Sequence, residues 1–204
     1  MDAMNKDNFR QNAIGNPISA YALENRLSEA IGRLPEKIGE LLDIGCGEGW
    51  FLKKISVLEP KAKLFGVDIC EVDLDYAERL VPTASFSVYG AYKLPFKAGK
   101  FDCVTMLEVL DHLDEPDRAL KEANRVLKKD GTLFVSVPDE SLLRWRFVWK
   151  IWTNTLGRKW NHKHLQKFNV QSFNLILDKN GFEVVDEKRA LFGCIMIAKT
   201  RKIR

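Results

Sequence analysis

The strongest constraint on this chain is a change of hydrophobic period that repeats along its middle. Leu41-Leu42-Asp43-Ile44 is a short apolar run that meets Gly45-Cys46-Gly47-Glu48-Gly49, after which Trp50, Phe51, Ile55 and Leu58 mark a helix stopped by Pro60. Strand, glycine turn and helix in that order open a parallel β-α-β unit. The pattern continues with strands over Leu64 to Asp68, Ala84 to Val88, Phe101 to Leu107 and Leu133 to Val137, and helices over Val72 to Leu80 and Pro116 to Lys129. About 100 residues of such alternation predict an α/β fold: a doubly wound, mostly parallel, Rossmann-like sheet with helices on both faces.

The flanks read differently. Residues 1–18 are a loose arm, and Ser19 is expected to cap a helix running to Leu34, ahead of Pro35. At the other end, Val170 to Lys179 reads as a helix closed by Asn180-Gly181, followed by strands over Phe182 to Glu187 and Phe192 to Lys199. The 204 residues make one domain: a helical arm (1–37), a core (38–140), an insertion (141–168) and a C-terminal helix with a strand pair (169–204). With 46% hydrophobic and 29% charged residues the chain is globular. Its four Cys form no C-x-x-C pair, which excludes a zinc ribbon or a thioredoxin-like motif and argues against a disulfide scaffold. A reducing cytoplasm is the expected setting, since the N-terminus is polar and no run of about 18 apolar residues occurs.

In an open parallel sheet, ligands bind beyond the carboxyl ends of the strands, and the first strand-to-helix turn supplies the floor. Here that turn is Gly45-x-Gly47-x-Gly49. A dinucleotide fingerprint would need glycine at position 50, where this chain has Trp50, and no Gly-Lys-Ser/Thr follows as in a phosphate-binding loop. Asp68 ends the second strand 19 residues beyond Gly49, where a carboxylate can accept hydrogen bonds from both hydroxyls of a ribose. A nucleoside without a pyrophosphate is indicated.

These residues resemble the class I S-adenosylmethionine-dependent methyltransferases, over about residues 38–138. Leu42-Asp43-Ile44-Gly45-Cys46-Gly47-Glu48-Gly49 is similar to the family's first motif and Gly66-Val67-Asp68-Ile69 to its second. Leu94-Pro95-Phe96, Phe101-Asp102 and Glu108-Val109-Leu110-Asp111-His112 resemble the motifs of its small-molecule branch, and Arg125-Val126-Leu127-Lys128 with Asp130-Gly131 resembles the approach to strand five. The resemblance implies S-adenosylmethionine as cofactor and a seven-stranded sheet of order 3-2-1-4-5-7-6 with the last strand antiparallel. It further implies that Asp43, Gly45, Gly47 and Gly49 surround the methionyl part, that Asp68 holds the ribose, and that Ile69 packs on adenine. Where relatives often carry Asp after the third strand this chain has Gly90, leaving backbone groups of Ala91 and Tyr92 to meet the adenine edge. Glu108, ending the fourth strand, is expected to line the cofactor site.

Methyl transfer from a sulfonium is an in-line displacement whose catalysis can come largely from proximity, so a base is needed only when the acceptor must lose a proton early. His112, just after the fourth strand, is the candidate base, with Asp111 orienting it or facing water. The Asn/Asp-Pro-Pro-aromatic motif of base-amino methylating enzymes is absent, and Cys46, Cys70 and Cys103 read as packing residues rather than nucleophiles. No metal is expected: His162-x-His164 has Lys163 between and no carboxylate nearby in sequence.

The formal charge of +4 hides an asymmetry. Residues 141–168 hold seven Lys or Arg, four of the five Trp and no acid, which leaves the other 176 residues at −3. On a helix, Leu142, Trp145, Trp149, Trp152 and Leu156 share one side. Such an insertion can cap an acceptor pocket through Trp145 and Trp149, lie on an anionic membrane surface, or track a nucleic-acid backbone. Nucleic acid is not the expected partner. The reading is methyl transfer to O, N or C of a small, anionic or lipid-linked acceptor, with an RNA methyltransferase or a non-catalytic cofactor-binding regulatory partner as alternatives.

Overall fold

The computed structural model describes residues 17–35, 37–143, 145 and 164–203. In chain order the elements are α1 (Pro17–Ile31), β1 (Glu40–Ile44), α2 (Trp50–Leu58), β2 (Lys63–Asp68), α3 (Glu71–Leu80), β3 (Ser85–Val88) and β4 (Phe101–Leu107). A 3₁₀ turn (Leu110–His112) follows, then α4 (Pro116–Val126), β5 (Leu127–Pro138), α5 (Val170–Lys179), β6 (Phe182–Ala190) and β7 (Ile195–Lys202). The strands form one seven-stranded sheet of order β3-β2-β1-β4-β5-β7-β6. All neighbours from β3 to β5 are parallel, and β7 runs antiparallel to both β5 and β6.

Side-chain alternation along the central strands separates two cores, because successive residues of a strand point to opposite faces. Leu42, Ile44, Val104, Met106, Leu133 and Val135 face Leu120 and Ala123 of α4 and Phe173 and Leu177 of α5. Leu41, Cys103 and Phe134 face Leu27 of α1, Phe51, Leu52 and Ile55 of α2 and Leu74 of α3. Both faces are therefore covered, and the strands read as near-continuous apolar runs for that reason.

Several boundaries differ from the sequence expectation. Ser19 lies inside α1, which already includes Pro17, so it does not cap the helix. Helix α4 ends at Val126, three residues before Lys129, because Leu127 turns extended and pairs with Phe101 of β4. The register then shifts to Cys103 against Thr132, with Asp130 at φ 59 inside the irregularity. At the C-terminal hairpin, Leu191, Phe192 and Gly193 all have positive φ, so Phe192 belongs to the turn and β7 starts only at Ile195. Trp149 and most of the 141–168 segment lie outside the described residues. The base of that segment is closed by a bridge between Asp139 and Phe168 and by Glu140 N–H donating to Phe168 O at 3.2 Å.

Candidate active site

The carboxyl ends of β1, β2 and β4 converge on the glycine turn. Gly45, Gly47 and Gly49 have φ of 73°, 48° and 80°. Two of these positions differ instructively: a Cβ on Gly45 would lie 2.5 Å from Cγ2 of Val109, whereas one on Gly47 would meet nothing within 4 Å. Gly45 is needed for close packing of the turn against the segment after β4, and Gly47 borders open space where a ligand can approach the backbone. The turn is tied to β2 by Gly45 and Cys46 N–H donating to Val67 O, at 2.8 and 3.1 Å.

Asp68 does more than end a strand. Its Oδ2 accepts from Gly47 N–H at 2.9 Å and its Oδ1 from Cys70 N–H at 2.9 Å, so the carboxylate ties the glycine turn to the end of β2. Next to it Ile69 is 73% exposed, an apolar side chain left in water at the place where the resemblance puts an adenine ring. Gly90 has only Ile69 within reach of an added Cβ, at 3.8 Å, so its lack of a side chain opens this rim. Ala91 is buried, and Tyr92 packs against the α4-side core with its hydroxyl accepting from Glu115 N–H at 3.2 Å. The Tyr92 side chain is thus committed to the fold.

Asp43 is buried between β1 and β4, and its Oδ1 accepts from Thr105 Oγ1 at 2.6 Å. Burial pushes its carboxyl up to about 7; the Thr105 hydrogen bond opposes this and the nearby Asp68 charge adds to it. Burial also pushes the Cys46 and Cys103 thiols far up, so neither is a thiolate nucleophile, in keeping with packing roles.

Beyond β4 the chain makes an unusual bend: Glu108 is held at φ 57, a left-handed conformation costly for a residue with a side chain. Its Oε1 accepts from Ser136 Oγ at 3.0 Å and its Oε2 meets Arg26 of α1 at 3.2 Å. The sequence carried no sign that Arg26, 82 positions away, would reach this point. The bend delivers Asp111 and His112 to the sheet edge. Asp111 does not face water: its side chain is 2% exposed, its Oδ2 lies 3.4 Å from His112 Nε2, and its Oδ1 has no hydrogen-bond partner among the described residues. A buried orphan acceptor of this kind costs about 1 to 3 kcal/mol. Burial, with the Glu108 and Glu140 charges, drives the Asp111 carboxyl well above the usual carboxylate range.

A second histidine joins this group from the far end of the insertion. His164 Nε2 is 3.6 Å from the same Asp111 Oδ2, and its Nδ1 is 2.5 Å from Glu140 Oε1. The two imidazoles meet edge to face at 5.1 Å, and Trp145 stacks on His164 at 6.3 Å while packing against the cluster of Ala190, Ile195 and Ile197. The segment is laced down by Leu165 and Gln166 N–H donating to Asp111 O at 2.8 and 3.1 Å. The sequence reading set His164 aside because no carboxylate was near it; folding supplies two, from 53 and 24 positions away. His162 lies outside the described residues.

A family model described as a methyltransferase domain matches residues 18–187. Among curated proteins, the chain is 27% identical over 175 residues to a mitochondrial ubiquinone biosynthesis O-methyltransferase of Candida albicans, covering 77% of this chain and 51% of that protein. It is 30% identical over 132 residues to a malonyl-[acyl-carrier protein] O-methyltransferase of Legionella pneumophila, covering 61% and 45%. The chain thus spans about half the length of these relatives. A solved S-adenosylmethionine-dependent methyltransferase of Thermotoga maritima has the same fold, with a TM-score of 0.77, 24% identity, and 99% of this chain and 100% of that one covered. The matched span takes in the glycine turn, Asp68 and the β4 edge, and the chain belongs to the methyltransferase domain family, the class I S-adenosylmethionine-dependent methyltransferases.

Proposed function

We propose that this chain transfers the methyl group of S-adenosylmethionine to a small acceptor, anionic or lipid-linked, with oxygen as the favoured acceptor atom. The observation that carries the reading is the juxtaposition, on one sheet edge, of the Asp68-tethered glycine turn and the Asp111-His112-His164 cluster after β4. Asp43, Gly45, Gly47 and Gly49 hold the methionyl part, Asp68 the ribose, exposed Ile69 the adenine face, and backbone groups of Ala91 and Tyr92 its edge. Glu108 lines the same site, steadied by Arg26 and Ser136. His112 takes the acceptor's proton. Trp145 and Trp149 belong to the acceptor side, and the relatives named for ubiquinone and malonyl-carrier methylation support oxygen on an amphipathic or carboxylate-bearing molecule.

The methyl of a sulfonium is already activated, so the protein's task is to align acceptor and sulfur and to deal with one proton. Calorimetry is expected to show S-adenosylmethionine and its demethylated product at one site per chain and no binding of NAD. Asp68→Ala is expected to weaken the donor by about 1.5 to 3 kcal/mol, since a charged acceptor for two hydroxyls is lost. Unchanged donor affinity in that variant places the ribose elsewhere. Labelled methyl transfer to a hydroxyaromatic with an apolar tail, but not to RNA, completes the test.

A further inference from the structure

Three donor atoms, one each from Asp111, His112 and His164, lie within 4.8 Å of one another. Two of the separations are 3.4 and 3.6 Å, from Asp111 Oδ2 to the Nε2 atoms of His112 and His164. A tetrahedral zinc ion with bonds of about 2.0 to 2.1 Å has donor-to-donor edges of roughly 3.3 Å. The two Asp111 separations are already near that spacing, and all three donor atoms lie within 4.8 Å of one another. The orientation suits ligation as well: Glu140 at 2.5 Å from His164 Nδ1 is placed to accept an N–H there, and Nε2 is the ring nitrogen turned toward Asp111. A carboxylate behind a ligating histidine is the usual support of such sites. Independently of this spacing, the Asp111 carboxyl group is almost wholly buried and its Oδ1 is unpartnered among the described residues.

We propose that Asp111, His112 and His164 bind a divalent first-row transition cation of the zinc class, with Glu140 fixing His164 from behind. Two imidazoles and one carboxylate favour such a cation over magnesium or calcium, which prefer all-oxygen donor sets. Three protein ligands leave an open position, the arrangement of catalytic rather than structural zinc sites. This deepens the function proposed above and rests on it for its chemistry. With the cation in place His112 would serve as a ligand, and this replaces the base role given to it above for the metal-free protein. An acceptor hydroxyl at the open position would have its pKa lowered by the cation and would release its proton to solvent. The oxygen lone pair forms the new C–O bond as the C–S bond breaks, its electron pair returning to sulfur, and the neutral thioether departs.

The test uses the full chain stripped of metal and titrated with Zn²⁺ against a chromophoric chelator, and with Co²⁺ followed by its visible absorption. One equivalent of either ion is expected, with the absorption of four-coordinate cobalt, and Mg²⁺ is expected not to compete. His164→Ala and Asp111→Asn are each expected to weaken Zn²⁺ at least about 100-fold, and Glu140→Gln about 10- to 100-fold. Donor calorimetry on the same variants reports whether each is folded, and Glu140→Gln keeps the test decisive should Asp111→Asn fail to fold. Absence of stoichiometric Zn²⁺ and Co²⁺ binding, or wild-type affinity in folded His164→Ala and Glu140→Gln, overturns the proposal. Metal binding without methyl transfer to any acceptor upholds the site and overturns the functional reading; full transfer by a protein that binds no metal does the reverse.

Discussion

Held between β1 and β4, Asp43 carries its charge at a cost. Its ordinary value of 3.8 rises to about 7 in the fold, so the sign of its pH effect follows directly. Below pH about 4 it is protonated whether the chain is folded or not and has no effect. Between about 4 and 7 the unfolded chain ionises while the folded one does not, and stability falls as pH rises; above 7 the loss is constant, on the order of 4 kcal/mol. Asp43→Asn keeps an acceptor for Thr105 Oγ1 and removes the charge, so the ligand-free variant is expected to be more stable than wild type above pH 7 and equal to it near pH 4. Urea unfolding across that range checks this, and identical curves would show that the carboxyl ionises freely in the fold. The same variant is expected to bind S-adenosylmethionine more weakly, because the cationic donor favours an ionised Asp43.

The glycine turn is where an element's conformation and its packing can be pulled apart. Gly45→Ala is expected to cost about 2 to 4 kcal/mol, part from a positive φ and part from the contact with Val109. Adding Val109→Ala makes room for the new methyl but leaves the backbone term, so denaturant midpoints should show only partial recovery. Full recovery would mean the backbone carries no strain there. Elements governed by local pattern were legible in the sequence. Strand β4 runs over the residues its apolar run suggests, and α5 begins at its Asn169 cap, whose side chain accepts from Ser172 N–H at 2.9 Å, and ends before Asn180-Gly181. The end of α4 was not legible, because what stops it is pairing of Leu127 with Phe101 across the sheet. Site residues followed the same division. The glycine turn and Asp68 have fixed spacing in the chain, whereas the pairing of His164 with Asp111 and Glu140, and of Arg26 with Glu108, depends on contacts that only the folded topology creates.

For the molecule as a whole, charge is distributed more tellingly than its total suggests. Seven cations and four Trp lie within 28 residues without an acid, against a remainder at −3. No helix among the described residues is long and apolar enough to cross a membrane. Sedimentation with vesicles is expected to show binding to phosphatidylglycerol-containing membranes that weakens from low to high salt, and none to phosphatidylcholine alone. Equal binding to both, or binding insensitive to salt, would rule out an electrostatic surface contact.

The bridge between Asp139 and Phe168 gives the chain a kind of modularity. Asp139 is buried and pinned by Arg189 of β6 at 2.9 Å and by Ser141, and its N–H donates to Cys194 O in the β6–β7 turn at 2.8 Å, so the near end of the insertion is fastened to the C-terminal hairpin and, through Phe168, to the far end. The entropy of closing such a loop grows only with the logarithm of its length. A change of length between the described ends of the insertion is therefore expected to leave the register of the sheet as it is. On the function proposed above, this one segment is the place where acceptor choice can change while the glycine turn and Asp68 stay as they are.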